Sequence, residues 1–218
     1  MKPLNQYIQE KLIINKDYRD NKIVVKSFDE LRKIIDDRYN KLGAGTKQKP
    51  IDFNDIDVSN LDSFYNNNDT GLFEETEFKH IDISDWDVSN ITDMKYMFYE
   101  CDKLESTGDI SSWHVSKVTN MNSMFYRCKK FNQDISEWDV SNVTNMSCMF
   151  YGCKKLESVG DISSWDVSNV TDMSFMFYDC KELESVGDIS DWNVSNVRNK
   201  DIMFLYCPIK DEYKPEFK

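Results

Sequence analysis

The sequence predicts an α/β repeat solenoid, leucine-rich-repeat-like, with about six coils of 25–27 residues and a helical N-terminal cap. Three observations carry that prediction. Tryptophan recurs at Trp86, Trp113, Trp138, Trp165 and Trp192. A Met-Phe pair recurs at Met97-Phe98, Met124-Phe125, Met149-Phe150, Met176-Phe177 and Met203-Phe204. Cysteine recurs at Cys101, Cys128, Cys153, Cys180 and Cys207. All three series step by 27, 25, 27 and 27 residues. A fixed period in this range marks units that cannot bury an apolar face alone and must stack on their neighbours. Each coil is expected to supply one short strand and one short helix or helical turn.

Residues 1–50 do not repeat and read as a leader and helical cap. Leu4, Tyr7, Ile8 and Leu12 fall at helical spacing, which predicts a short amphipathic helix. Ile23, Val24 and Val25 read as a strand. Ser27-Phe28-Asp29-Glu30 has the form of a capping box. In that motif the serine hydroxyl accepts from the third helical N–H and the glutamate reaches back. The helix that follows has Leu31, Ile34, Ile35, Arg38, Tyr39 and Leu42 on one stripe, and Gly43 and Gly45 stop it. Residues 46–50 form a polar linker.

The repeat solenoid is expected over residues 51–207. Its first coil is irregular: Asp57-Val58-Ser59-Asn60 matches Asp87-Val88-Ser89-Asn90, and Leu72-Phe73 matches Met97-Phe98. Residues 66–71 read as a loop inserted between those landmarks. One later coil is two residues shorter, with Phe131-Asn132-Gln133 in place of a Leu-Glu-Ser-x-Gly segment. Within a regular coil, Val170, Met173, Phe177 and Cys180 have the spacing of one helical face. Ile162, Trp165 and Val167 belong to an extended segment. In the last coil Lys200 replaces the first Met, and Pro208 follows Cys207 at once. Residues 208–218 are a charged tail, and with the end of the last coil they read as the C-terminal cap that a stack needs.

Charge and composition exclude several classes. The net charge is −12, but residues 1–50 carry 12 Lys/Arg against 7 Asp/Glu, and the remainder 15 against 32. An acidic array repels phosphate backbones, so nucleic-acid binding is not expected. No run approaches the roughly 18 apolar residues of a membrane span. The first twenty residues lack a signal-peptide core and a small-residue cleavage site, which predicts that the chain does not use ordinary secretion. His80 and His114 are unrelated in repeat register, and no nucleophile elbow, phosphate-binding glycine loop or zinc-helix motif occurs. The expectation is a non-enzyme without catalytic residues, cofactor or metal, and a monomer.

Repetition turns each conserved slot of the coil into a ladder. The cysteine ladder reads as core, since free cysteine packs as a small hydrophobe; a redox or metal role is the alternative. The ladder Asp82, Asp109, Asp134, Asp161 and Asp188 reads as acceptors for turn backbone N–H groups, with calcium as the alternative. The Ser-Asn pairs such as Ser89-Asn90 and Ser168-Asn169 are expected to saturate turn backbone between coils. Cys148 falls outside the cysteine ladder, in the slot of Tyr96, Ser123, Phe175 and Ile202. Tyr99, Tyr126, Tyr151 and Tyr178 follow the inward Phe, so they are placed to line a surface. With Tyr96 and Phe175 they are the candidate partner-binding residues, because tyrosine is favoured in binding hot spots; partly buried packing is the alternative.

The unit at residues 161–177, Asp-Ile-Ser-Ser-Trp-Asp-Val-Ser-Asn-Val-Thr-Asp-Met-Ser-Phe-Met-Phe, resembles the BspA-like surface-protein repeats of roughly 26 residues. These are also called lipoprotein-associated or PARCEL repeats, a leucine-rich-repeat variant. The resemblance covers about residues 51–207. It implies a solenoid with a non-catalytic, protein-binding role of the bacterial surface adhesion or recognition type. The expected partner is a protein. Residues 4–12 look like leader segments of gut-bacterial and bacteriophage proteins. That similarity implies the alternative, a structural or assembly component, for example particle-associated, in which the repeats act as a spacer or scaffold. The compartment is left open between cell surface, cytoplasm and particle.

Overall fold

The computed structural model describes residues 22–66 and 68–217. The helix predicted around Leu4–Leu12 lies outside them. The described chain begins with β1 (Ile23–Val24) and α1 (Phe28–Leu42), followed by β2 (Ile51–Asp52), β3 (Ile56–Asp57) and β4 (Ile81–Asp82). No helix among the described residues is long and apolar enough to cross a membrane.

The serine half of the capping box forms as the residue pattern predicts, and the glutamate reaches back to the N–H one residue before the cap. Ser27 Oγ accepts from Glu30 N–H at 3.2 Å, and Glu30 Oε2 accepts in return from Lys26 N–H at 2.8 Å. Gly43, at φ 75°, ends the helix by donating its N–H to Tyr39 O. Leu31 and Ile35 are fully buried, but Leu42 is 60% exposed. The predicted stripe is therefore one residue too long, since Tyr39 still packs 5.1 Å from the Phe78 ring and only Leu42 is left exposed. Two arginines fix the helix to that coil. Arg38 makes a two-pronged ion pair with Asp55, both bonds at 2.7 Å, and its guanidinium lies 5.2 Å from the Phe53 ring centre. Arg32 donates to the carbonyls of Gly71 and Leu72 at 3.2 and 3.1 Å. β1 pairs in parallel with β3, so the leader is hydrogen-bonded into the first coil. Val25, Leu31 and Ile35 share one apolar cluster with the whole array.

From there each coil stacks on the next in parallel register. β2 pairs with β4, and single parallel bridges run Ser63–Asp93–Asn120–Asn145–Asp172–Asn199. The Met-Phe segment carries most of the inter-coil bonding. Met94, Tyr96, Phe98 and Glu100 donate their N–H groups to Asn120, Asn122, Met124 and Tyr126 of the next coil at 2.7–3.1 Å. The residues between them donate back within the coil: Met97 to Met94, Tyr99 to Tyr96 and Cys101 to Phe98. The segment is thus a train of turns, the second of the two expected forms, and not a short α-helix. Two slots per coil hold a left-handed backbone, such as Tyr96 (φ 59°) and Glu100 (φ 55°), or Phe175 (φ 58°) and Asp179 (φ 60°). A helix would consume every N–H internally. The turn train spends half of them on the neighbouring coil, and that is what joins the stack. The predicted extended segment at residues 162–167 is likewise one inter-coil bond, Ile162 N–H to Val186 O, followed by a turn closed by Trp165 N–H on Ile162 O.

The two irregular coils keep register by local devices. In the first, an antiparallel bridge between Tyr65 and Gly71 closes the insertion, and Phe73 rejoins the ladder, stacked 5.3 Å from Phe98. In the short coil, Asn132 Oδ1 accepts from Glu157 and Ser158 N–H, and the Gln133 amide bridges Gly108 O and Thr107 N–H. Side-chain amides there do the work of missing backbone. The core is a set of ladders: Trp86, Trp113, Trp138, Trp165 and Trp192 are 2–6% exposed, and Phe98, Phe125, Phe150 and Phe177 are 0% exposed.

Candidate functional site: a tyrosine strip

The turn train that buries the Phe ladder turns the following residue outward. Phe98, Phe125, Phe150 and Phe177 stack inside at 5.5–5.7 Å. Tyr99, Tyr126, Tyr151 and Tyr178 stack outside at 4.6 Å, nearly parallel, each half-buried. Because the coils are held at strand spacing, equivalent rings have no choice but to lie face to face. Burial raises the Tyr99 phenol to about 12, helped by Glu100 and by the neighbouring Tyr126 and Tyr96 phenols and opposed by Arg127. Burial raises Tyr126 as well. The stacked rings make an amphipathic surface, since each tyrosine carries an apolar ring and a polar hydroxyl.

The other two candidates join the same surface. Tyr96 lies 5.1 Å from Tyr99, and Phe175 lies 6.3 Å from Tyr151 and 6.2 Å from Tyr178. Between them the same slot holds the small residues Ser123 and Cys148, so the strip has a low saddle flanked by two raised rings. Lys95 anchors one end. Its ammonium sits 4.5 Å from both the Tyr65 and Tyr96 ring centres and bonds Asp69 at 3.0 Å and Tyr65 Oη at 3.2 Å. Burial works against the charge, but these bonds to Tyr65 and Asp69 outweigh it and raise the lysine pKa.

The strip's other border is a charged row, in which Arg127 bonds Glu100 at 2.9 Å and lies 5.4 Å from the Tyr126 ring centre. Gly152 interrupts this row. Its missing side chain opens a recess of about 330 Å³ lined by Arg127, Lys129, Lys154 and Asp179 beside Tyr151 and Tyr178. Lys95 sits beside Tyr96 in one of the varied slots between landmarks that read as candidates for specificity, whereas Gly152 did not stand out in the sequence. The signal was there, as departures from the repeat consensus at slots adjacent to the tyrosines.

The remaining ladders have structural partners. Trp86, Trp138, Trp165 and Trp192 donate Nε1–H to carbonyls of the preceding coil, at 2.9, 2.9, 3.2 and 3.2 Å. Trp113 Nε1 is buried without an acceptor. Beside it, Lys22, Asp85, Asp87 and His114 line a polar recess of about 640 Å³. All six cysteines are free. Cys101, Cys128, Cys153 and Cys180 donate to Phe carbonyls one coil back at 2.9–3.0 Å, while Cys207 sits 3.7 Å from Leu183 O. Burial pushes the Cys128, Cys153 and Cys180 thiols well up. Cys148 is only half-buried. The aspartates each accept from the serine two residues on, Asp109 from Ser111 N–H at 3.0 Å and Asp161 from Ser163 N–H at 3.0 Å. Asn142, Asn169 and Asn196 donate across the coil boundary to Ser116, Ser141 and Ser168 carbonyls. Among the described residues no three His, Cys, Asp or Glu side chains converge to hold a metal ion.

Comparison with known proteins gives a family match. No curated protein and no solved structure is significantly similar. Residues 62–160 and 157–209, most of the 218-residue chain, match the family described as Mycoplasma protein of unknown function, DUF285. The stacked Trp, Met-Phe and Cys ladders lie within that match, and the chain belongs to the DUF285 family.

Proposed function

We propose that the chain is a leucine-rich-repeat-like solenoid of the BspA-like type and acts as a non-catalytic protein-recognition module. The observation that carries this reading is the tyrosine strip, four phenols stacked at 4.6 Å across four coils and flanked by Tyr96 and Phe175. Such rings offer large contact area at little conformational cost, because the stack already holds them in place. The saddle at Ser123 and Cys148 and the recess at Gly152 supply relief on an otherwise flat surface. The charged border suits a partner that brings both an apolar ring and an ionic group to the Tyr151–Tyr178 end.

The test compares the parent chain with a Tyr126→Leu/Tyr151→Leu variant as baits against envelope, cytosolic and particle fractions of the source cell. Leucine keeps the bulk that covers the Phe ladder and removes the aromatic face and hydroxyl. A saturable partner held by the parent and lost by the variant, with matching circular dichroism, supports the strip. A partner held equally by both moves recognition elsewhere. No saturable partner in any fraction would favour a spacer or scaffold role.

A further inference from the structure

The charged border of the tyrosine strip changes sign in the middle of the array. Glu100 and Asp102 of one coil give way to Arg127 and Lys129 in the next, and to Gly152 and Lys154 in the one after. Beyond residue 50 the chain carries 15 Lys/Arg against 32 Asp/Glu, so a run of cations goes against the trend of the array. Gly152 stands in that run, and its backbone does not require a glycine. Its φ of 69° is close to those of Arg127 (55°) and Asp179 (60°), which hold the same slot on the coils to either side and carry side chains. An added Cβ would meet only Arg127, 3.2 Å from its Cγ. What the glycine supplies is space, the recess of about 330 Å³ beside Tyr151 and Tyr178.

The lining of this space favours an anion. Arg127, Lys129 and Lys154 stand against the single carboxylate of Asp179, so three positive charges less one negative leave +2. Donors are also left over. Among the described residues Arg127 spends one of its five N–H groups, on Glu100 at 2.9 Å. Lys154 comes no closer than 3.4 Å to its partner, Asp179. The Arg127 and Lys154 side chains are 48% and 51% exposed, and ion pairs this exposed are weak. A partner's anion can therefore take up both cations at little cost.

Taking the strip as the recognition surface, we propose that the recess at Gly152 is its anchor and binds a carboxylate of the partner protein, an aspartate or glutamate side chain carried beside an aromatic ring. The guanidinium fork of Arg127 matches the two oxygens of a carboxylate. A doubly charged phosphate would meet stronger repulsion from Asp179, Glu100 and Asp102, and a polyanion would be repelled by the whole array. The aromatic neighbour follows from the stack. Tyr151 and Tyr178 cover each other's faces at 4.6 Å, so their ring edges are left for the partner, and an aromatic face packs well on such edges.

The probes are two acetylated, amidated tetrapeptides, Gly-Glu-Phe-Gly and Gly-Gln-Phe-Gly, and inorganic phosphate. Each is titrated into the isotope-labelled intact protein at neutral pH and low salt and followed by NMR. The glutamate peptide should bind saturably and shift the amide signals of Arg127, Gly152, Lys154 and Tyr178. The glutamine peptide should bind about tenfold or more weakly. Arg127→Gln should weaken the glutamate peptide about tenfold. Gly152→Glu sets a resident carboxylate in the recess, in a slot where Glu100 already has the same backbone conformation. It should abolish binding with an unchanged circular dichroism spectrum. Four outcomes would overturn the proposal: no saturable binding, equal binding of the two peptides, binding that survives Gly152→Glu, or phosphate displacing the peptide at equal concentration. The strip is judged separately. A captured partner that is lost with Tyr126→Leu/Tyr151→Leu and kept with Gly152→Glu leaves the strip standing and removes the carboxylate anchor.

Discussion

Two glycines at left-handed positions make opposite demands. Gly160 (φ 85°) turns beside the preceding coil so closely that an added Cβ would lie 2.1 Å from Asp134 Oδ1. The equivalent clash at Gly187, with Asp161 Oδ1, is 1.9 Å. Gly152 (φ 69°) shares its slot with Glu100, Arg127, Asp179 and Tyr206, all left-handed and all bearing side chains. There an added Cβ meets only the flexible Arg127 side chain, 3.2 Å away. Gly160→Ala should therefore cost about 2 kcal/mol or more, and Gly152→Ala under about 1 kcal/mol. Urea unfolding of the two variants checks the contrast, and equal losses would mean that the Asp134 turn yields.

At the scale of the element, the turns are set by aspartates and the coil boundary by tryptophans. Hydroxyl and N–H donation from Ser111, Ser163 and Ser190 holds Asp109, Asp161 and Asp188 below the usual carboxylate range. A carboxylate whose pKa is lower folded than unfolded stabilises the fold above its unfolded value, near pH 4. That contribution is lost as pH falls through the folded value. The parent should thus exceed an Asp161→Asn/Asp188→Asn variant in urea midpoint at pH 6, and the gap should close toward pH 3. A gap independent of pH would assign the effect to shape alone. The tryptophans divide by their acceptors. Trp138→Phe orphans the Ile110 carbonyl, which accepts Nε1–H at 2.9 Å, whereas Trp113→Phe removes a donor that has no partner. Trp138→Phe should cost about 1 kcal/mol more than Trp113→Phe, measured by chemical denaturation.

Over the whole molecule, stability is shared between neighbours, since each coil touches only the ones beside it. Trp165 is 4% exposed, stacks 6.5 Å from Trp192 and bonds Ser136 O. Trp165→Ala should cost about 3–5 kcal/mol. Hydrogen exchange should then speed up first in the coils on either side of residue 165, with the α1 end protected longest. Uniform loss of protection would show that the array opens as one unit. The ion pairs between coils, such as Arg127 with Glu100 and Lys155 with Glu182, are exposed and add little energy.

Periodicity alone determined the repeat landmarks, the register of the irregular first coil, the buried Trp, Phe and Cys ladders, and the outward tyrosines. One slot per coil, copied at a fixed step, forces equivalent side chains into columns whatever the backbone does. The capping box of α1 was equally legible, because it is written in four consecutive residues. The backbone inside the coil was not. Val170, Met173, Phe177 and Cys180 would share one side of an α-helix, and they share one side of a train of four-residue turns just as well. Only the neighbouring coil distinguishes the two, by taking half of the N–H groups. The recess at Gly152 was hidden for the same reason. It is defined by what stands on the adjacent coils, and that relation exists only once the chain has stacked.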